Sequence, residues 1–327
     1  MTLMIETRDL RRSFTSKTGT VEAVKGVDLN VDTGEVFGFL GPNGAGKTTT
    51  LRMLSTLLPP SGGEARVAGC DLLREPKKVR ERIGYVGQLG GADPNMTGRK
   101  ELEFQARIYG ANSKLARTRA AEIIDMLELE ACADRPTSTY SGGQRRRLDI
   151  GLGLIHRPRL VFLDEPTTGL DPQARARLWN EIRRLKQGGV TVFLTTHYLE
   201  EADALCDRLS IIDHGQIVAE GTPEQLKREI AGDVITLGLD GDRDRALELL
   251  RAQPYVRQAT TEAEGVRLYV DRGDAAMPSV LRLLDGAGLQ LQTIAMSRPS
   301  LDDVFLQQTG HTLRDSAAPE PAVVKAA

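Results

Sequence analysis

Gly41 and Gly46 bracket Pro42, Asn43, Gly44 and Ala45, and Lys47 and Thr48 follow at once. This is the spacing G-x-x-x-x-G-K-[ST] of a phosphate cradle. Glycines let the backbone curl so that successive N–H groups point inward at phosphate oxygens. A helix starting at Lys47 adds its positive end. The lysine can reach outer phosphates as a point charge, and the Thr48 hydroxyl can hold magnesium. A second group of chemical residues is Asp164-Glu165, two carboxylates directly after the apolar run Leu160-Val-Phe-Leu163. Two acids can simply end a strand at the surface. Beside a phosphate loop, Asp164 is placed to meet magnesium through water, and Glu165 is the candidate general base for an attacking water.

The elements that must carry these groups are also legible. Glu35–Leu40 reads as a short apolar strand before the loop, and Thr48–Leu58 has helical periodicity that stops at Pro59-Pro60. Strand, glycine turn and helix open an α/β core. Upstream, Met4–Leu10 and Val21–Val31 read as strands, the latter as two pieces around Gly26. Glu64–Ala68 and Ile83–Val86 are strand-like. Thr97 is placed to cap a helix ending at Gly110, and Ala116–Leu129 forms a second, giving a mainly helical insertion. Downstream, helix at Leu148–Ile155, buried strand at Arg159–Leu163, helix at Gln173–Gln187 and buried strand at Val190–Thr195 imply a largely parallel sheet. Leu209–Asp213 and Gln216–Glu220 flank a hairpin at His214-Gly215. Composition shifts near residue 230. Strands at 234–239, 255–260, 266–271 and Leu289–Met296, with helices at 243–252 and 276–287, suggest a small ferredoxin-like α+β domain. Leu301–Gln308 adds a short helix, and the last dozen residues read as a loose tail.

The chain's 327 residues are 40% hydrophobic and 27% charged, the composition of a folded globular protein. No stretch approaches the roughly 18 apolar residues of a spanning helix. The start, MTLMIETRDLRRSF, lacks the pattern of a secretory signal, so export through that route is not expected. The 43 basic and 45 acidic side chains nearly balance, so neither a nucleic-acid coat nor a polybasic membrane anchor is implied. Cys70, Cys132 and Cys206 are odd in number and far apart, which fits buried thiols in a reducing compartment better than disulfides or zinc.

Taken in order, these motifs resemble the ATPase subunits of ATP-binding cassette (ABC) transporters over about residues 3–230. Ser141-Gly142-Gly143-Gln144, between Tyr140 and Arg145-Arg146-Arg147, looks like the family's signature. Gln88 looks like the Q-loop glutamine, Gly169-Leu-Asp171 like the D-loop and His197 like the switch histidine. Phe14 falls where the family places an aromatic against adenine. The string Tyr140–Asp149, the string Tyr85-Val-Gly-Gln88 and the closing stretch Arg298-Pro-Ser-Leu-Asp-Asp-Val-Phe305 resemble the daunorubicin/doxorubicin resistance-type exporter ATPases more narrowly.

The resemblance implies an α/β fold: a P-loop NTPase ABC ATPase core at 1–230, with a helical subdomain at about 95–150. A C-terminal accessory α+β domain at 231–310 and a flexible tail at 311–327 complete it. It implies ATP and Mg²⁺ as ligands and a composite site in a head-to-tail pair of copies. Gly41, Pro42, Asn43, Gly44, Ala45, Gly46, Lys47, Thr48 and Thr49 of one copy would bind nucleotide, with Thr48, Gln88 and Asp164 around the metal. Ser141 and Gly143 of the other copy would contact the γ-phosphate across the interface, and Gly142, Gln144 and Asp171 are further nucleotide-binding residues. Glu165, His197, Gln88 and Lys47 carry the catalytic roles. The segment Gly90–Gly98 should lie near a groove that docks a separate permease, which places the chain on the cytoplasmic face of a bacterial membrane. Drugs, antibiotics or lipids are the implied cargo. An importer ATPase with a regulatory C-terminal domain, or a soluble non-transport ATPase, are the alternatives. A single cassette, with Ser141 too close behind Lys47 for a long coiled coil, speaks against ribosome- and repair-type relatives.

Overall fold

The computed structural model describes residues 2–16, 19–230, 232–240, 242–262 and 265–310. The tail expected at 311–327 lies outside these residues. The chain begins with β1 (Leu3–Ser16), β2 (Gly19–Asp32), β3 (Val36–Leu40), α1 (Lys47–Leu54), β4 (Gly62–Val67), β5 (Cys70–Asp71), α2 (Pro76–Arg82) and β6 (Ile83–Val86). The helices α3 (Gly98–Ile108), α4 (Ser113–Met126) and α5 (Gly142–Leu154) follow. Next come β7 (Leu160–Asp164), α6 (Pro172–Gln187), β8 (Thr191–Thr196), α7 (Leu199–Leu205), β9 (Arg208–Asp213) and β10 (Gln216–Gly221). The last elements are α8 (Pro223–Glu229), β11 (Asp233–Asp240), α9 (Arg243–Arg251), β12 (Val256–Glu262), β13 (Gly265–Val270), α10 (Gly273–Gly286), β14 (Gln290–Ser297) and α11 (Leu301–Thr309).

Two sheets build the first unit. One has strand order β10-β9-β3-β8-β7-β6, parallel throughout except for the β9–β10 hairpin. β3, β7 and β8 are buried along their whole length, as strands covered on both faces must be. Their rings pack across the sheet, with Phe193 stacked on Phe37 at 5.7 Å and Phe162 tilted against Phe193 at 5.6 Å. The first thirty residues do not join this sheet. They pair in a separate antiparallel sheet, β2-β1-β4-β5. Leu51, Met53 and Leu54 of α1 share one core with Ile5, Leu29 and Val67 from that sheet and with Phe39 and Phe162 from the parallel one. The helix between the sheets is therefore apolar on more than one side, and it ends at Leu54 rather than running to Leu58.

The parallel register fixes what matters for chemistry. Leu40 lies opposite Thr196, and Asp164 opposite Thr195. Gly41, Gln88, Glu165 and His197 all follow the carboxyl ends of neighbouring parallel strands, where the loops of such sheets converge.

The boundary between the two compact units falls between Pro223 and Glu224, ahead of the composition shift near 230. The short polar helix α8 carries no periodic stripe long enough to read in sequence. In the second unit the strand order is β12-β13-β11-β14, all antiparallel, with α9 and α10 as the crossovers of a ferredoxin-like βαββαβ unit. Val266, Leu268 and Val270 face a core with Leu250 and Val280 from the helices. Arg267 and Tyr269 alternate onto the opposite face, where both donate to the buried Asp303 carboxylate of α11, at 3.1 and 2.7 Å. Asp303 also closes a capping box with Ser300. All three cysteines are free and buried. Among the described residues no helix is long and apolar enough to cross a membrane.

Candidate active site

The glycine loop turns into α1 through Gly46, which caps the helix in the left-handed region at φ 104°. A Cβ there would stand 2.5 Å from the Ala23 carbonyl, so only glycine fits. Lys47 opens the helix and is buried. Its Nζ donates to the Gly41 and Pro42 carbonyls at 2.8 and 2.9 Å and lies 3.4 Å from Glu165 Oε1. Burial pushes the ammonium's pKa down, and the Glu165 charge opposes this.

Asp164 ends β7 with its carboxylate buried. Oδ1 accepts from Thr195 Oγ1 at 2.7 Å and from Thr48 Oγ1 at 3.1 Å. Thr195 therefore clamps the acid from the neighbouring strand, and its Oγ1 also accepts from the Glu165 N–H at 3.0 Å. Glu165 is a non-glycine residue at φ 43°. Such a backbone costs about 1–3 kcal/mol, and strain of this kind collects at functional sites.

The Glu165 carboxylate gathers four groups. Oε2 accepts from Thr168 Oγ1 at 3.2 Å and Gln88 Nε2 at 3.3 Å, while Lys47 faces the other oxygen. His197 Nδ1 is 3.2 Å from Oε2, a close polar contact off the line of a directed hydrogen bond. Burial pushes this acid up, but His197 and Lys47 together overrule it and hold the pKa at about 2. An acid held that low is a poor base.

Lys47, Thr48, Gln88, Asp164, Glu165 and His197 thus converge on one place. The residues fit a metal-bound triphosphate on their own chemistry: a hydroxyl–carboxylate pair formed by the part-buried Thr48 and the buried Asp164, and a buried ammonium at the start of the helix that follows the glycine loop. Phe14 lies half-exposed on β1, opposite Val21, with the Arg12 guanidinium 4.7 Å over one face of its ring. Ser141, Gly142, Gly143, Gln144 and Asp171 are brought together elsewhere. Ser141 caps α5 in a capping box with Gln144, which leaves the N–H groups of Gly142 and Gly143 at the positive end of that helix. Asp171 caps α6 through Ala174. Between them lies a cavity of about 330 Å³ lined by Ser141–Gln144 and Gly169–Asp171, with no residue of 41–49 in its wall. Among the described residues no hydrogen bond or ion pair joins the two sets.

Sequence reasoning did not single out Thr195, Thr168 or Arg146. Thr195 closes an apolar strand and Thr168 sits in a polar turn, so neither carries a signal alone. Arg146 lies within the signature string, where its neighbours draw the attention.

Residues 24–168 match the ABC transporter family, and residues 221–309 match the C-terminal domain of DrrA1-3-like ATP-binding proteins. The chain is 45% identical over 327 residues to the daunorubicin/doxorubicin resistance ATP-binding protein DrrA of Streptomyces peucetius, spanning 98% of this chain and 97% of the relative. The chain belongs to the ABC transporter ATPases, in the daunorubicin/doxorubicin resistance-type group. It is an ATP-hydrolysing motor subunit coupled to transport. The linearmycin resistance ATP-binding protein LnrL of Bacillus subtilis is 35% identical over 95% of this chain and all of its own length. Among solved structures, the dimeric post-hydrolysis state of the ATP-binding cassette MJ0796 bound to ADP and Pi matches with a TM-score of 0.62. It is 27% identical and covers 67% of this chain and 98% of its own. ABC ATP-binding subunits of this kind bind nucleotide, dimerise and work with membrane permeases.

Proposed function

We propose that two copies of this chain close head to tail on two molecules of ATP, and that closure and reopening drive export through a separate permease at the cytoplasmic face of the membrane. The separation of the Ser141 set from the Lys47 set within one chain carries this reading. Neither set surrounds a phosphoryl group alone. Brought together across a two-fold interface, each would supply what the other lacks.

In this reading the loop 41–49 and the start of α1 bind the phosphates of ATP, with Lys47 exchanging Glu165 for the outer phosphate. Phe14 offers its open ring face to adenine. Mg²⁺ would be held by Thr48 and, through water, by Asp164 and Gln88, and supplies charge neutralisation on the phosphates. Glu165, freed of Lys47, orients the attacking water. His197 holds that geometry from β8. Ser141 and the N–H groups of Gly142 and Gly143 in the other copy donate to the developing negative charge. Asp171 fixes the end of α6 beside them. Hydrolysis removes the shared anion, and the two halves part. No nucleic-acid partner is implied. The cargo is a drug, antibiotic or lipid, and likeness to the daunorubicin/doxorubicin and linearmycin resistance proteins supports a drug or antibiotic.

The test is direct. Purified Glu165→Gln chain with Mg-ATP should elute as a dimer by size-exclusion chromatography and as a monomer without nucleotide. A chain that binds Mg-ATP but stays monomeric would remove the composite site.

A further inference from the structure

Arg146 lies on α5 about one and a half turns beyond its Ser141 cap. It is buried, and its guanidinium spends its donors on three backbone carbonyls. Nη1 donates to Gly87 at 2.6 Å, Nη2 to Asp164 at 3.0 Å and Nε to Pro166 at 2.8 Å. Gly87 immediately precedes Gln88, and Asp164 and Pro166 flank Glu165 on either side. One planar fork therefore sets the distance between the glutamine turn and the acid. Burial pushes the Arg146 pKa down from its ordinary value, and the charges of Asp149, Asp164 and Glu201 oppose this. Two further side chains of the same helix hold the segment after Gln88. Asp149 Oδ1 accepts from Gly91 N–H at 3.2 Å, and Arg145 Nη2 donates to the Ala92 carbonyl at 3.4 Å.

We propose that Arg146 is a positioning residue for ATP hydrolysis, fixing Gln88 and Glu165 relative to each other and to the helix that Ser141 heads. The proposal rests on the head-to-tail reading and deepens it. Seating Ser141 on the opposite copy's phosphates constrains α5, and Arg146 carries that constraint to this chain's own acid. A lysine keeps the charge and most of the stem, but its donors sit on one atom and cannot span three carbonyls arranged around a planar fork. The chain's single tryptophan, Trp179, donates to Glu201 at 3.3 Å and so borders the same buried charges. Its fluorescence reports on them without added label.

The experiment uses full-length Arg146→Lys and Arg146→Met chains, each with and without Glu165→Gln. Both variants should bind Mg-ATP with Kd within about twofold of wild type, while kcat falls by about tenfold or more. In the Glu165→Gln background the ATP-held pair should persist, and the ATP-induced change in Trp179 fluorescence should be lost. Wild-type kcat in Arg146→Lys overturns the proposal. So does a parallel loss of kcat, affinity and thermal stability in that variant, which marks a packing role only. If Arg146→Met fails to fold, Arg146→Lys decides alone. If Glu165→Gln itself forms no pair, the head-to-tail reading fails instead, and the split between kcat and Kd still judges Arg146.

Discussion

Replacing Glu165 by glutamine removes one negative charge from a site that holds it tightly. The carboxylate's pKa lies at about 2 against an ordinary 4.5, so His197 and Lys47 favour its ionised form by an amount that more than offsets burial. The difference corresponds to a ceiling of about 3 kcal/mol of folding stability at neutral pH. Glu165 is little exposed, so solvent screening trims this less than at a surface pair. The sign follows from linkage. The folded pKa is depressed, so the contribution is fully present above about pH 4.5 and is lost as pH falls towards about 2. Urea denaturation of the nucleotide-free chain should therefore show Glu165→Gln less stable than wild type at pH 7, with the two curves converging below pH 4.5. Nucleotide should reverse the order of merit. With no carboxylate to leave, Lys47 meets phosphate more readily, so Mg-ATP affinity should hold or rise while phosphate release slows by about 10²–10⁴-fold. Equal nucleotide-free stability at pH 7 together with an affinity that falls in step with turnover would refute this account of Glu165 as both the partner of Lys47 and the base.

Ser141→Ala should remove a helix cap worth about 1 kcal/mol. Nucleotide binding to the single chain should be nearly unchanged and steady-state hydrolysis strongly reduced, as measured by fluorescent-nucleotide titration alongside phosphate release. Asp303→Ala removes the buried acceptor of the Tyr269 hydroxyl and an ion-pair partner of Arg267, and should destabilise the second unit by about 1–3 kcal/mol, read from its denaturant midpoint.

The site was legible in sequence where chemistry and spacing coincide. Lys47 behind its glycines, and the acid pair after four apolar residues, need little context. The parallel strands β7 and β8 were legible for the same reason, since strands buried on both faces read as unbroken apolar runs. The sheet made by β1, β2, β4 and β5 was legible only as strands. Nothing in local periodicity tells an antiparallel partner sheet from an extension of the parallel one. Helices α2 and α7 are hard to see in sequence because each is a seven-residue segment, with one buried residue in α2 and three in α7, too short for a stripe to repeat. The start of α5 was read late because Gly142, Gly143 and three arginines hide its periodicity, although Ser141 and Gln144 are three residues apart as a capping box requires. Thr195 and Arg146 act through contacts to residues far along the chain, which no window of sequence contains.

The central claim is that each hydrolytic site is assembled from Lys47 of one copy and Ser141 of the other. Lys47→Ala and Ser141→Arg chains are each expected to be inactive alone. Mixed in equal amounts with Mg-ATP, they can form pairs in which one site draws both of its halves from intact residues. Mixing should restore ATPase activity, to about a quarter of the wild-type rate if copies pair at random and sites act independently. Activity that stays at the level of the separate variants, in a mixture shown to contain mixed pairs, would contradict it.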